Sequence, residues 1–237
     1  METSELNFWI AYGLTIFIII AKFTLSGYLF KKYKSVETVG QHKLNFIMGM
    51  SLLIFGLGVS RSIYFYYDFY LTNYDPNLLF QVPNVYYWKT ALFIGTIFSL
   101  PLLYVVERDV YQFKTKNIPT TILIIMAVII FVFPIESKED FEFVSLIGTL
   151  SFLIALLVPA AFIYIAIKTS GQLKKVSITL ATAIIAYGIF SMLMSENILS
   201  ALDNAMPGIR TFMIILFPIG KVICLVLISY ATINFRI

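Results

Sequence analysis

The longest run of the chain without a charged residue is FVSLIGTLSFLIALLVPAAFIYIAI, residues 143–167. An α-helix rises about 1.5 Å per residue, so this run is long enough to cross a hydrocarbon core about 30 Å thick. In lipid the backbone must satisfy its own hydrogen bonds, as it does in an α-helix or a closed barrel. Because the run lacks the alternating pattern of barrel strands, we interpret it as a membrane-spanning helix.

The same criteria predict seven membrane spans along the chain. They cover residues of about 7–30, 44–67, 86–106, 119–135, 142–167, 176–199 and 210–231. With 59% hydrophobic and 13% charged residues, the chain shows no stretch with the composition of a soluble domain. We therefore predict a single all-α domain over residues 1–237, a polytopic bundle of seven transmembrane helices.

The basic residues between the spans are divided unevenly between the two sides of the membrane. Eleven lie on one side: Lys31, Lys32, Lys34, Lys43, Arg108, Lys114, Lys116, Lys168, Lys174, Lys175 and Arg236. The opposite side has Lys89, Lys138 and Arg210. By the positive-inside rule the first side is cytoplasmic, which predicts an outer N-terminus, an inner C-terminus and an integral multi-pass protein of the cell membrane.

Signatures of enzymes and metal sites are missing from the sequence. Cys224, the only cysteine, lies in the seventh span, and His42, the only histidine, lies in the first inner loop. A zinc site needs several such ligands close together. Gly220 and Lys221 lack the upstream glycine and the following Ser or Thr of a phosphate-binding loop. We therefore expect a protein that is not an enzyme and binds no metal.

Charged and aromatic residues are concentrated at the outer end of the second span. Arg61, Tyr64 and Asp68 are spaced so that all three share one helix face. Aromatic neighbours here are typical of the interfacial belt of membrane proteins, and they are also compatible with an aromatic-walled pocket at the outer mouth. The candidate ligand-binding residues at this depth are Arg61, Tyr64, Asp68, Trp88, Lys89, Glu196, Asn197, Asp203 and Arg210.

Two lysines lie deeper within the spans. Lys22 is about 22 Å from the outer start of the first span, so we expect its stem to reach the inner interface. Lys221 lies near the middle of the seventh span, where such an escape is hardest. Either carbonyls freed near Pro218 and Gly220 hold its amine, or the amine contacts a ligand or substrate, which adds Lys221 to the candidate residues.

A lysine in the middle of a seventh helix, with an outer N-terminus, resembles the arrangement of the microbial rhodopsins, which attach retinal there. The resemblance is one of position. Those proteins have an aspartate four residues before the lysine, where this chain has Phe217, and acidic residues in the third helix, where this chain has none between Lys89 and Glu107. A protonated Schiff base without an anion is costly in lipid, so we expect no retinal and no other cofactor.

The segment VVERDVYQFKTK, residues 105–116, follows the third span. Together with the aromatic end of the second span, it resembles uncharacterised archaeal multi-pass membrane proteins over about a third of the chain. The resemblance implies no particular function. By their chemistry, Glu107, Arg108 and Asp109 indicate either a solvated helix end or a contact with a cytoplasmic partner.

Two local patterns concern the packing of the helices. The pairs Gly56 with Ser60 and Gly95 with Ser99 place small residues one turn apart, which marks a close helix contact within the monomer or at a dimer face. Asn117, two residues before Pro119, predicts the capped start of the fourth helix.

These features favour a non-enzymatic, receptor-like or sensory protein that binds a small or lipidic ligand at the outer aromatic mouth. Such a protein needs a separate cytoplasmic partner for signalling. One alternative is a small-molecule or ion transporter that uses Lys221, and another is an accessory subunit packed against other membrane chains. The expected partner in every case is the lipid bilayer; nucleic acid is not expected, because the basic residues are dispersed over short loops.

Overall fold

The computed structural model describes residues 2–35, 41–73, 75, 78–193, 206 and 209–235, and at residues 2–6, 41–44, 210 and 211 it describes the backbone alone. Within these ranges the chain forms helices and turns and no strand, which confirms the all-α prediction. The α-helices are α1 (Glu2–Ser35), α2 (Gln41–Tyr66), α3 (Asn84–Ile97), α4 (Leu100–Asp109), α5 (Ile118–Val132), α6 (Lys138–Ala155), α7 (Leu157–Lys168), α8 (Gly171–Leu193) and α9 (Ile209–Asn234). A π-helical turn, Tyr67–Leu71, extends α2.

Within the described ranges, six helical segments are long and apolar enough to cross a membrane. They are Asn7–Ser35, Asn45–Leu71, Asn84–Asp109, Lys138–Lys168, Gly171–Leu193 and Phe212–Asn234. Each coincides with one of the predicted spans, which supports a membrane protein. The remaining prediction, residues 119–135, corresponds to α5, whose 15 residues give a length of about 22 Å and so fall short of a full hydrocarbon core.

Two of the predicted spans are each built from two consecutive helices. The span predicted at 86–106 is α3 followed by α4, and the one at 142–167 is α6 followed by α7. Pro101 and Pro159 lie in the first turns of α4 and α7. Because proline has no N–H, it removes a hydrogen bond from a helix interior but none from a first turn, so both prolines suit the start of a new helix.

The small residues of α2 and α3 lie at a helix contact inside the chain. The Ser60 hydroxyl donates a hydrogen bond to the Ala91 carbonyl, with 2.7 Å between the oxygens. A Cβ atom placed on Gly56 would collide with Cβ of Phe98, so α2 approaches this part of the chain too closely for any larger residue. The structure thus accounts for these pairs by packing within the monomer.

Both ends of the short helix α5 are held by charged side chains from α3 and α4. At its start, the Glu107 carboxylate accepts hydrogen bonds from the Thr115 hydroxyl at 2.6 Å, from the Thr120 amide at 3.1 Å and from the Thr120 hydroxyl. At its end, the Lys89 amine donates to the Phe133 carbonyl at 2.6 Å. An anion at the start and a cation at the end both complement the dipole of α5.

This arrangement corrects two expectations about the inner end of the third span. Asn117 does precede α5, but its side chain makes no capping hydrogen bond, and Glu107 supplies the acceptor instead. Glu107 has an exposed fraction of 0%, so the prediction of a solvated helix end is wrong for this residue. Arg108 pairs with Asp109 at 2.7 Å and leaves Glu107 to α5.

The apolar core lies mainly in the half of the bundle that contains the C-terminal end of α1 and the start of α2. Its largest fully buried side chains include Leu29, Met50, Leu102, Phe162 and Phe235. A second, smaller cluster joins α3, α5 and α6 around Val85 and Ile130. Large apolar side chains cover much of the outside, as expected for helices that face lipid rather than water.

Candidate ligand-binding site

The predicted polar face of α2 includes an ion pair. Arg61 Nη1 lies 3.1 Å from Asp68 Oδ2, and Arg61 Nη2 donates to the Thr15 hydroxyl of α1 at 3.3 Å. The expectation that Arg61 and Asp68 share a helix face is therefore confirmed. Asp68 belongs to the π-helical turn, a local geometry that is frequent at functional sites.

Lys22 of α1 points into the bundle, contrary to the expectation that it reaches the inner interface. The residue is only 4% exposed. Its Nζ donates to the Leu57 carbonyl at 2.9 Å and lies 5.9 Å from the centroid of the Tyr187 ring. Gly58 leaves room for the Lys22 side chain beside α2. The amine therefore binds α2 instead of extending along α1 towards a membrane surface.

Lys221 of α9 belongs to the same neighbourhood. Helix α9 continues through Pro218, and the charge of Lys221 lies within electrostatic range of both Lys22 and Arg61. We call Lys22, Arg61, Lys221 and Asp68 the cation cluster. Its described side chains carry three formal positive charges and one negative charge, an unusual concentration within membrane-spanning helices.

A cavity of about 320 Å³ lies beside this cluster, between α2 on one side and α8 on the other. Apolar and small side chains make up most of its wall, which includes Gly95, Gly148 and Gly188. The hydroxyl-bearing residues of the wall are Ser60, Tyr64, Thr96, Ser99, Ser151, Tyr187 and Ser191. We call this space the central cavity.

Most of the hydroxyl protons in the wall of the central cavity are already used. Thr96, Ser151 and Ser191 donate to carbonyls of their own helices, at 2.9 Å in each case. Ser60 and Ser99 likewise donate to backbone carbonyls. The body of the cavity therefore offers an incoming ligand apolar contacts and a few acceptor oxygens, which suits an alkyl chain better than a polar molecule.

Three residues belong to both the cavity wall and the surroundings of the cation cluster. The Leu57 carbonyl accepts from Lys22, the Tyr187 ring lies next to the Lys22 amine, and Tyr64 lies within electrostatic range of Arg61 and Asp68. All three line the central cavity. The cavity and the cation cluster thus have these three residues as common neighbours.

The other predicted site residues lie elsewhere or outside the described residues. Trp88 packs against the Phe141 ring of α6, with 4.5 Å between ring centroids, and Lys89 holds the end of α5. Neither lines the central cavity. Glu196, Asn197, Asp203 and the side chain of Arg210 lie outside the described part of the structure.

The aromatic residues of the predicted mouth pack around the N-terminal part of α1 and the C-terminal end of α2. The hydroxyls of Tyr12 and Tyr70 are 2.6 Å apart, and the Tyr12 ring contacts Phe65 and Phe69. Tyr70 remains 55% exposed, and none of these four residues lines the central cavity. Their position is that of an interfacial belt.

Sequence reasoning missed the central cavity and the part played by Lys22. The glycines and serines of α3, α6 and α8 are the signal in the chain, but a single sequence does not tell whether small residues admit a neighbouring helix or leave space. Among the described residues, no group of three or more His, Cys, Asp or Glu side chains is placed to hold a metal ion.

Comparison with known proteins adds no functional information. No family model matches the chain, and no curated protein or solved structure is significantly similar to it.

Proposed function

We propose that the protein is a receptor-like, non-enzymatic membrane protein that binds a small lipidic ligand in the central cavity. The observation that carries the proposal is an apolar cavity of about 320 Å³ inside the bundle, at the lower end of the range for small-molecule sites. The cavity borders α2 and the six helices from α3 to α8. An occupant therefore contacts several of the proposed membrane-spanning helices at once. A ligand that favours one arrangement of these helices shifts the population towards it.

The proposal includes the topology that the basic residues predict. We place the protein in the cell membrane with α5 as a seventh crossing, the N-terminus outside and the C-terminus in the cytoplasm. The contacts at the two ends of α5 support a crossing. Glu107 of α4 binds its start and Lys89 of α3 binds its end, so the helix of about 22 Å runs alongside the span formed by α3 and α4. A ligand-induced change is then read by a separate cytoplasmic partner.

Labelling on either side of α5 tests this topology directly. In a Cys224→Ala background, we expect Lys138→Cys to react with a membrane-impermeant maleimide on intact cells. Lys114→Cys is expected to react only after permeabilisation. Both positions are exposed, and α5 is the one helix between them. Labelling of both cysteines from the same side contradicts the seventh crossing.

Filling the central cavity tests the proposed site. Ala155 lines the cavity at the end of α6, and we expect Ala155→Leu to abolish saturable binding of radiolabelled decanoate, decanol or decylamine to the protein in nanodiscs. The added methyl groups occupy empty apolar space, so we expect an unchanged or higher melting temperature.

The matched control is Ala160→Leu, which adds the same groups to an exposed position of α7. This variant is expected to bind the three probes as the wild type does. Saturable binding that survives Ala155→Leu shows that the probes occupy the protein surface instead. No saturable binding of any of the three probes to the wild type contradicts the proposed function.

A further inference from the structure

We propose that the central cavity is built for a single-chain anionic amphiphile, an alkyl carboxylate whose chain fills the cavity and whose carboxylate lies at the Tyr64 and Tyr187 end. This inference rests on the proposed function and names the class of its ligand. The position of the cation cluster behind these two tyrosines is the observation that carries it.

The size of the cavity favours one alkyl chain. Sites for small molecules range from about 300 to 1,000 Å³, and this cavity has about 320 Å³. A phospholipid with two acyl chains requires more space than this. The wall of the cavity body, which includes Leu53 and Leu103, is mostly apolar. It therefore matches an alkyl chain without polar groups.

Hydrogen-bond capacity distinguishes the two parts of the cavity. The serine and threonine hydroxyls of the body donate to backbone carbonyls, as described above. Tyr64 and Tyr187 place phenol groups in the wall, and a phenol is a good donor to a carboxylate. A head group that accepts hydrogen bonds is therefore matched best at this end.

The charges behind the tyrosines select the sign of the head group. The Lys22 ammonium has three N–H donors, and its described contacts are one carbonyl and one aromatic face. The positive charge of Arg61 is already paired with the Asp68 carboxylate. In a bundle surrounded by lipid, charges interact strongly because the dielectric constant is low, so an anion is attracted to Lys22 through the tyrosine layer and a cation is repelled.

The boundary between the cluster and the cavity includes side chains from two helices, α2 and α8, that do not pack closely against each other. Helix α2 packs closely against α1, α3 and α4, whereas α8 packs closely against α7 and α9. Leu57 and Tyr64 from α2 and Tyr187 from α8 fill the space between. Rotation of such side chains brings a carboxylate and the Lys22 amine closer without a movement of the backbone.

Affinity for three probes of equal chain length tests this inference. We expect wild-type protein in nanodiscs of neutral lipid, near neutral pH, to bind decanoate at least about tenfold more tightly than decanol, and decanol more tightly than decylamine. Equal affinities for decanoate and decanol overturn the anionic class and leave the proposed function standing. Tighter binding of decylamine than of decanoate also overturns the anionic class.

A substitution at Lys22 connects this preference to the cation cluster. Lys22→Met is expected to reduce the ratio of decanoate to decanol affinity to about one, whereas Lys22→Arg, which keeps the charge, is expected to retain most of it. Lys31→Met removes an exposed lysine from the same helix and is expected to retain the full ratio. If Lys22→Met and Lys22→Arg both keep the wild-type ratio of decanoate to decanol affinity, Lys22 does not select the anionic head group.

Discussion

Replacing Glu107 by alanine is expected to lower the free energy of unfolding by about 3 kcal/mol. The carboxylate is fully buried and accepts three hydrogen bonds from Thr115 and Thr120. Without it, the amide and hydroxyl of Thr120 lose a buried acceptor, and the partly buried hydroxyl of Thr115 loses its partner as well. Reversible unfolding of the purified protein in mixed micelles measures the effect.

Two further variants show that the effect depends on this position and on its charge. Glu142→Ala removes an exposed carboxylate that pairs with Lys138 at 3.7 Å, and we expect a change within about 0.5 kcal/mol. Glu107→Gln keeps acceptor oxygen at the same place and is expected to cost less than the alanine variant. If Glu107→Ala is no more destabilising than Glu142→Ala, the carboxylate does not hold α5.

Hydropathy located the helices because length and composition alone decide whether a segment fits the bilayer. All six long apolar segments fall within or around predicted spans. The same averaging concealed the restarts at Pro101 and Pro159, since a proline in an apolar window changes the mean hydropathy little while it removes a backbone donor. Helix bounds in such a chain therefore need backbone chemistry as well as hydropathy.

The candidate site was predicted where the chemistry is local to one helix. The ion pair of Arg61 with Asp68 follows from the spacing of seven residues on α2. Lys22 was predicted wrongly because its direction depends on α2, where Gly58 leaves space and the Leu57 carbonyl accepts. The sequence of α1 does not show that Leu57 and Gly58 of α2 are the neighbours of Lys22.

The central cavity depends on still more distant relations. Its wall combines residues of α2 to α8, and its volume is the remainder after all of these helices have packed. Gly148 and Gly188 illustrate the difficulty, since added Cβ atoms would approach Leu92 to 2.9 Å and Phe152 to 2.6 Å. The same glycines thus admit neighbouring side chains and border empty space, and only the packed structure separates the two roles.

The cation cluster and α5 use opposite solutions for charge within the bundle. Glu107 and Lys89 are each compensated by a helix end and by hydrogen bonds. The cluster brings Lys22, Arg61 and Lys221 together, where each positive charge raises the cost of the others. A structure with such a concentration of like charge depends strongly on the carboxylate that lies within it.

Asp68→Asn is therefore expected to lower the free energy of unfolding by about 3 kcal/mol, because it removes the carboxylate of a partly buried ion pair and leaves the guanidinium of Arg61 among other cations. The double variant Asp68→Asn with Arg61→Met removes both partners and is expected to recover more than half of that loss. Unfolding in mixed micelles of the wild type, both single variants and the double variant gives the coupling energy.

Asp109→Asn is the matched control: Arg108 is 30% exposed, close to the 28% of Arg61, and its described neighbours are Asp109 and the Tyr104 ring. We expect a smaller loss there, of about 1 kcal/mol. Losses that simply add in the Asp68 and Arg61 double variant contradict a role for the pair in neutralising the cluster. Coupling of about 1 kcal/mol or more supports a role for Asp68 in neutralising part of the positive charge that lies next to the central cavity.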